Sequence, residues 1–307
     1  MRKLSGALAF TVSGCTGGVL DPHGPVAAAE RTLLLNSIGI MLGVIVPVIV
    51  ATLGVAWWYR ASNPKARYLP TWSYSGKIEI VTWSIPAMVI LLLGSIAWIG
   101  SHKLAPEKPL QAQAPGIEVE VVALDWKWLF IYPRQGVASV NLMVMPAGAP
   151  VSLRLTSATV MNSFFIPQLG SQIYTMAGMT TRLNLLAEHA GQYRGLSAQF
   201  SGDGFSGMRF SVEAVTPQQF ATWVSDTQRK GQVLDRPGYA QLAQPSKYVV
   251  PSTYGAVDPG LFDRIVGLGH LPTGCAAAGA AVTRAVADQN TVGDHELSKA
   301  SVSCSAN

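Results

Sequence analysis

A short loop between two strand-like stretches, GQYRGL and RFSVEAV, has the spacing of a metal-binding site. Its sequence, SAQFSGDGFSGM, occupies residues 197–208 and places serine, glutamine and methionine side chains at close intervals. Metal sites with ligands at such close intervals commonly use thiolates and imidazoles. A serine hydroxyl stays protonated at neutral pH and is a hard, weak donor, and a single thioether does not hold the ion. The loop therefore has the frame of a metal site without its chemistry.

Cysteine and histidine chemistry elsewhere in the sequence is sparse. The three cysteines, Cys15, Cys275 and Cys304, are far apart and form no CxxC pair, so a zinc or thioredoxin-like site is unsupported. Cys275 and Cys304 could pair in an oxidising compartment or remain two thiols, and the sequence leaves both open. His189, in the turn-like EHAGQY, is expected to be an exposed turn residue rather than a metal ligand.

The first residues have the order of a secretory signal sequence. A basic start, Arg2 and Lys3, precedes a short apolar stretch, and small residues then lead to Cys15. The order Val-Ser-Gly-Cys resembles the bacterial lipoprotein box, in which cleavage leaves the cysteine as a lipid-modified N-terminus. We therefore expect residues 1–14 to be a lipoprotein signal peptide and Cys15 to be the lipidation site. The alternative is an ordinary signal peptide that contains a cysteine.

Two long uncharged stretches are expected to cross a membrane, within a segment that spans residues 15–104. Residues 33–59 are long enough to cross a bilayer core of about 30 Å and end in the aromatic anchor WWY. Residues 80–101 form the second stretch, and Pro86 inside it predicts a kink. Hydrophobic residues make up 49% of the chain and charged residues only 13%, which favours membrane spans beside a folded domain.

Basic residues set the orientation of the two spans. The connecting loop carries four Lys or Arg residues and no acid, against three in the outer flanks, which favours a cytoplasmic loop. A signal peptide would place Cys15 outside, and everything after Ser101 would then also lie outside. The net charge of +5 fits these flanking charges, and the lack of a dense Lys/Arg block makes nucleic-acid binding a poor interpretation.

From residue 116 onward the hydrophobic period changes to two. The stretches IEVEVVALDW, VSLRLTSA, TRLNLLA and MRFSVEAV alternate apolar with polar or small residues. They predict a compact antiparallel β-sandwich or barrel over residues 116–215, preceded by a linker over residues 105–115. Four aromatic residues at every second position are expected to share one packed face: Trp126, Trp128, Phe130 and Tyr132.

One helix and an extended stretch are predicted after the sandwich, over residues 216–270. Thr216 can cap the helix, Pro217 suits its first position, and Gly231 ends it. Residues 271–307 are rich in Ala and Ser and have little to bury, so we expect a mostly disordered tail.

The order of signal, two helices and outer sandwich resembles subunit II of the heme-copper respiratory oxidases. The local matches are EIVTWSIPAM, which contains Glu79 and Pro86, the stretch DWKWLFIYP, and the region 160–208. The resemblance covers about residues 15–270. It implies a membrane α plus all-β fold: a two-helix transmembrane hairpin followed by a cupredoxin-like antiparallel β-sandwich.

The cytochrome c oxidase branch of that family holds a dinuclear copper centre on this sandwich. Its pattern is a histidine on one loop and then C-x-E-x-C-x-x-x-H-x-x-M. On this chain only the methionine remains, so residues 197–208 are called the vestigial loop below. The matching positions are Asn162, Ser197, Gln199, Ser201, Phe205 and Met208. We expect the polar ones to hydrogen-bond to one another and to nearby backbone, and Phe205 to fill space.

Because it lacks these ligands, the chain resembles the copper-less quinol oxidase branch of the family. In that branch electrons come from ubiquinol in the bilayer, and subunit I holds the hemes and the copper. The resemblance implies a non-catalytic subunit without a cofactor or catalytic residue of its own, in a bacterial inner membrane with the sandwich in the periplasm. Its partners would be subunit I, smaller membrane subunits and the lipid bilayer.

Two alternatives stay open at this point. One is a cytochrome c oxidase subunit II with atypical copper binding, against which the missing ligands count. The other is a free-standing, membrane-anchored binding or assembly protein with a cupredoxin sandwich, against which the pattern around Glu79 and Pro86 counts.

The resemblance also suggests roles for two single residues. The family's glutamate at the position of Glu79 lies at the mouth of a proton-uptake channel, whereas the simpler interpretation is an interfacial carboxylate that pairs with Lys77 or fixes the helix end. Trp126 matches the position where electrons enter in the copper-bearing branch. Without copper to receive them, a packing role for Trp126 is favoured.

Overall fold

A computed structural model of the chain describes residues 18–268 with the exception of Tyr68, Gln111 and Gln113. The chain divides into two compact units, Met1–Ala105 and Pro106–Asn307. The predicted signal peptide, Cys15, Cys275, Cys304 and the tail 271–307 lie outside the described residues.

The first unit contains two long helices, α1 (Pro25–Trp58) and α2 (Gly76–Lys103). Both are long and apolar enough to cross a membrane. Their large apolar side chains are exposed on all sides, which is the pattern of a helix surrounded by lipid rather than by water. Both helices begin before the uncharged stretches, and α2 continues through Pro86. They approach closely at Gly100, where an added Cβ would lie 2.7 Å from Cδ1 of Leu33.

The second unit contains two packed sheets. The larger has the strand order β11-β12-β3-β2-β1-β5-β8, and the smaller has the order β4-β10-β9-β6-β7. The strands are β1 (Ile117–Leu124), β2 (Lys127–Tyr132), β3 (Val137–Val140), β4 (Leu142–Pro146), β5 (Val151–Ser157), β6 (Asn162–Phe165), β7 (Ile173–Thr175), β8 (Thr181–Leu185), β9 (Gly191–Ser197), β10 (Arg209–Val215), β11 (Gln232–Leu234) and β12 (Ser252–Val257).

The predicted sandwich is confirmed, but its sheets are mixed rather than purely antiparallel. Strands β1 and β5 pair in parallel, as do β4 and β10, and β11 and β12. The cause lies in the path of the chain, which leaves the larger sheet after β3, forms β4 in the smaller sheet and returns to the larger sheet as β5. A strand that returns by such a crossover can lie parallel to an earlier strand, whereas a hairpin cannot produce this pairing.

Alternating residues of both sheets form the core between them. Its centre is an aromatic cluster in which Phe164 stacks on Phe210 at 5.0 Å between ring centroids, and Trp128 meets Phe164 edge to face at 5.2 Å. Phe130 and Tyr132 belong to the same core.

The expectation that Trp126 shares this face is wrong. Trp126 lies in the turn between β1 and β2 with a φ of 63°, and this turn breaks the alternation.

The segment after β10 begins with α3 (Pro217–Lys230). The Thr216 hydroxyl accepts a hydrogen bond from the Gln219 backbone N–H, and the Gln219 side chain reaches back to the Thr216 backbone in a capping box. The predicted cap and the predicted end at Gly231 are both observed.

The extended stretch expected after α3 is instead folded. It forms β11, α4 (Arg236–Leu242), β12 and α5 (Leu261–Leu268), and β12 pairs with β3. Leu234, Phe262 and Ile265 cover the outer face of the larger sheet and build a second core on Leu129 and Ile131. The larger sheet is therefore buried on both faces along part of its width.

Candidate functional site

The positions that match copper ligands are brought together by two neighbouring strands. Asn162 begins β6 and Ser197 ends β9, and these strands pair with Ser197 opposite Phe164. The vestigial loop then returns to β10, and the Ser197 backbone N–H donates to the Met208 carbonyl at 3.1 Å. The frame predicted from the spacing is therefore present, with its two halves closed on each other.

Asn162 and Ser197 form a buried polar pair. The Ser197 hydroxyl lies 3.2 Å from Oδ1 of Asn162 and 3.2 Å from the Gln199 carbonyl, and the Asn162 amide donates to the Val160 carbonyl at 3.1 Å. Asn162 is 1% exposed and Ser197 is 4% exposed. Buried polar groups need partners, and these two supply them for each other without an ion.

Met208 and Ser201 form the second contact of the loop. The Ser201 hydroxyl lies 3.8 Å from the Met208 sulfur, and the Met208 side chain is buried in the core between the sheets. Gln199 enters the site only through its backbone carbonyl, and its side chain is partly exposed. Phe205 packs edge to face on Phe200 at 5.6 Å. The expected hydrogen bonding thus joins Asn162 and Ser197 but does not include the Gln199 side chain.

This donor set does not fit a dinuclear copper centre. Hydroxyls, carboxamides and a phenyl ring stand where thiolates and imidazoles are needed, and one buried thioether is the single soft donor. Among the described residues no group of three or more His, Cys, Asp or Glu side chains is placed to hold a metal ion. His189 is exposed in its turn, and its carbonyl accepts a hydrogen bond from the Tyr193 hydroxyl at 2.9 Å.

Trp126 is part of the vestigial loop's packing. Its indole N–H donates to the Ser201 carbonyl at 2.9 Å. Gly204 lies against the ring so closely that an added Cβ would be 2.3 Å from Cγ of Trp126, so glycine is required there. The Lys247 ammonium lies 5.3 Å from the ring centroid and 3.5 Å from a carboxylate oxygen of Asp203. Trp126 therefore connects the loop to residues 231–268, called the C-terminal segment below.

A buried lysine holds the C-terminal segment in place. Lys127 is 1% exposed, and its ammonium donates to the Gln244 carbonyl at 2.7 Å and to the Ser246 hydroxyl at 2.5 Å. Burial lowers the pKa of Lys127, and the nearby Asp125 opposes this shift. The lysine is the charged residue of a strand that is otherwise apolar, KWLFIY, which is the signal that sequence reasoning could have used.

Asn141 and Tyr248 complete this attachment. The Asn141 side chain accepts from the Trp128 N–H at 2.9 Å and donates to the Val249 carbonyl at 2.8 Å. The Tyr248 ring packs on Gly207, where an added Cβ would lie 2.6 Å from the ring. Residues 244–249 are thus fixed to β2 and lie against the vestigial loop.

Glu79 lies in the first turn of α2 and is exposed. Its backbone N–H donates to the Ser75 carbonyl at 3.0 Å. A carboxylate in the first helical turn is stabilised by the helix dipole. Within the described part of the chain Glu79 forms no ion pair with Lys77.

Two family models match the second unit. The model described as cytochrome c oxidase subunit II, periplasmic domain, matches residues 121–215, and the model described as COX aromatic rich motif matches residues 228–268. The cytochrome bo(3) ubiquinol oxidase subunit 2 of Pseudomonas putida is 47% identical over 86% of this chain and 85% of its own length. The chain belongs to the ubiquinol oxidase subunit 2 family.

Two further relatives agree with this assignment. The cytochrome bo(3) ubiquinol oxidase subunit 2 of Pseudomonas aeruginosa is 47% identical over 87% of this chain and 80% of its own length. The ubiquinol oxidase subunit 2 of Acetobacter aceti is 48% identical over 84% of each chain.

The predicted family and cupredoxin-like fold are confirmed, and the matches favour the copper-less quinol oxidase branch over both alternatives. The two apolar helices and the periplasmic-domain match together describe a membrane-anchored protein with a periplasmic domain.

Proposed function

We propose that the chain is the second subunit of a respiratory ubiquinol oxidase, which passes electrons from ubiquinol to oxygen and couples this to proton translocation. The observation that carries the proposal is the vestigial loop, where Ser197 contacts Asn162 and Ser201 contacts Met208 at positions that copper ligands would occupy. Without thiolate and imidazole ligands at these positions the loop cannot relay electrons through copper, so reducing equivalents reach the oxygen-reducing subunit from within the lipid. The chain's own contribution is to assembly and to proton uptake.

The partners follow from the family. Subunit I would hold the hemes and the copper, and smaller membrane subunits would complete the complex. Purification of a tagged chain from its native membrane tests this proposal, and a heme-bearing subunit with quinol-dependent oxygen uptake should co-purify. A heme-free preparation would instead indicate a free-standing protein.

A cytochrome c oxidase subunit with atypical copper is the alternative, and both the donor set of the loop and the similarity to ubiquinol oxidase subunits count against it. Metal analysis with near-infrared absorption or electron paramagnetic resonance of the purified complex separates the two. Copper attributable to this chain would overturn the first proposal, whereas copper confined to subunit I supports it.

We further propose that the chain is anchored by lipid on Cys15 after removal of residues 1–14, and that it lies in a bacterial inner membrane. The support is the order of charge, apolar run and small residues before Cys15. Mass spectrometry of the mature N-terminus decides this. A diacylglyceryl cysteine is expected, and a mature chain that begins elsewhere would contradict the anchor.

Glu79 is proposed to relay protons at the entrance of a path into subunit I. Its support is an ionisable group at the edge of an apolar helix, without an ion-pair partner among the described residues. Glu79→Gln is expected to lower quinol-driven oxygen uptake and proton uptake together. Glu107→Gln, an exposed carboxylate outside both helices, is the matched control and should change neither rate. Unchanged rates in Glu79→Gln would remove the assigned role.

A further inference from the structure

A cleft of about 380 Å³ opens on the outer face of the larger sheet. This volume lies within the range of small-ligand sites. Strands β1, β5 and β8 form its floor, and the turn between β2 and β3 contributes Arg134. None of its lining residues belongs to the vestigial loop. The polar side chains around the cleft are Glu118, Arg134, Ser152, Arg154, Arg182 and Asn184.

The strand pattern places like charges side by side in this cleft. Alternate residues of a strand point to the same face, and the apolar alternates Leu153 and Leu183 are in the core. Arg154 of β5 lies directly opposite Arg182 of β8. Like charges directly opposite each other on neighbouring strands destabilise a sheet. The pair therefore requires compensation by negative charge.

Only one of these arginines receives that compensation from the chain. Arg154 donates to Glu120 at 2.9 Å and to Asp263 at 2.9 Å. Its guanidinium carbon Cζ lies 4.8 Å from the ring centroid of Phe262. Neither Arg182 nor Arg134 has a carboxylate partner in residues 18–67, 69–110 and 114–268. Two uncompensated guanidinium groups thus border a concave surface, where positive potential concentrates.

We propose that this cleft binds a phosphate group through Arg134 and Arg182. The planar guanidinium fork matches two phosphate oxygens, and the Ser152 hydroxyl is a further donor on the floor. Glu118 on the same wall repels a highly charged polyanion and can accept a hydrogen bond from an ammonium group. The ligand class is therefore a phosphate of low net charge, either a phospholipid headgroup or free phosphate.

Binding to the full chain, purified in detergent with its associated subunits, tests the proposal independently of oxidase activity. Inorganic phosphate and glycerophosphoethanolamine are titrated separately and followed by ³¹P line broadening. The double variant Arg134→Gln/Arg182→Gln should bind at least about tenfold more weakly, because both charge-assisted contacts are lost. The control Arg194→Gln/Arg229→Gln removes the same charge from exposed sites outside the cleft and should bind as the unchanged chain does.

The two probes also separate the sources of the phosphate. Tighter binding of glycerophosphoethanolamine than of inorganic phosphate assigns the cleft to a lipid headgroup, and equal binding assigns it to free phosphate. Arg134→Lys/Arg182→Lys, which keeps the charge but loses the fork, should bind with intermediate affinity if the site is built as proposed. Absent saturable binding, or equal affinity in the Gln double variant, would overturn the proposal. The proposal would also be overturned if the Gln double variant lost a co-purifying subunit while the unchanged chain bound no phosphate. That result would indicate an acidic protein partner.

Discussion

At the scale of single residues, hydrogen bonds take the place of coordination bonds in the vestigial loop. A copper centre would cross-link its two halves through thiolates and imidazoles, and here the contact between Asn162 and Ser197 joins them. The comparison of the sequence with the copper-ligand pattern predicted that Asn162 and Ser197 would be in contact. It did not predict that Gln199 enters the site through its backbone carbonyl, which lies 3.2 Å from the Ser197 hydroxyl, rather than through its side chain.

Ser197→Ala is expected to destabilise the outer domain by about 1–2 kcal/mol, because it leaves the buried Asn162 carboxamide oxygen without its donor. Thermal unfolding of the full chain in detergent measures this. Gln199→Ala is the matched control, since only the backbone of Gln199 takes part, and its effect should stay within about 0.5 kcal/mol. Equal effects of the two substitutions would show that the buried contact contributes nothing.

At the scale of elements, local signals were predictable from sequence and distant pairings were not. The α3 boundaries follow from Thr216, Pro217 and Gly231, whose effects depend on neighbours a few positions away. The prediction that Trp126 shares a face with Trp128 was wrong, because the left-handed backbone conformation of Trp126 interrupts the alternation of the strands. Strands β11 and β12 were missed because β12 completes a sheet with β3, whose residues are distant in sequence.

Lys127→Met is expected to loosen residues 244–249, because two partly buried hydrogen bonds are lost while the apolar volume is kept. The expected cost is about 1–3 kcal/mol. Faster amide hydrogen exchange in this segment and in the vestigial loop is the measurement. Arg194→Met is the control, because Arg194 is exposed on β9, lies outside residues 244–249 and forms no ion pair among the described residues. Exchange that is unchanged in Lys127→Met would contradict an anchoring role.

At the scale of the whole outer domain, the C-terminal segment is an integral part of the sandwich. It covers one face of the larger sheet with apolar side chains. It is also joined to that sheet by charge, since Arg154 links Glu120 of β1 to Asp263 of α5. The pairing of Glu120 with Arg154 depends on the register of β1 with β5, and the contact with Asp263 depends on the packing of α5, so neither was visible in the sequence.

The stability of this domain should depend on pH through Glu120. Burial raises the pKa of Glu120 to about 7, and the attraction of Arg154 only partly opposes the shift. Because the folded state then holds the proton more tightly than the unfolded state, the contribution of Glu120 to stability is fully present below the ordinary value of 4.5 and is lost as the pH rises through about 7. The apparent Tm should therefore be a few degrees lower at about pH 8 than at about pH 5.

Glu120→Gln should flatten this pH dependence, because the amide does not titrate. Glu188→Gln, which changes an exposed carboxylate, should leave the slope as it is. Thermal melts of the three proteins across this pH range provide the measurement. A slope that persists in Glu120→Gln would assign the titration to another group.

The place of β12 beside β3 has a consequence for biogenesis. Until residues 252–257 have been translated and exported, β3 is an open edge, and the apolar face that includes Leu129 and Ile131 has no cover. Exposed edges and uncovered apolar surface are where newly made chains aggregate. The domain therefore cannot close until this late stretch of the chain has crossed the membrane. Premature stop codons in this last stretch would abolish the protein by misfolding rather than impair its chemistry.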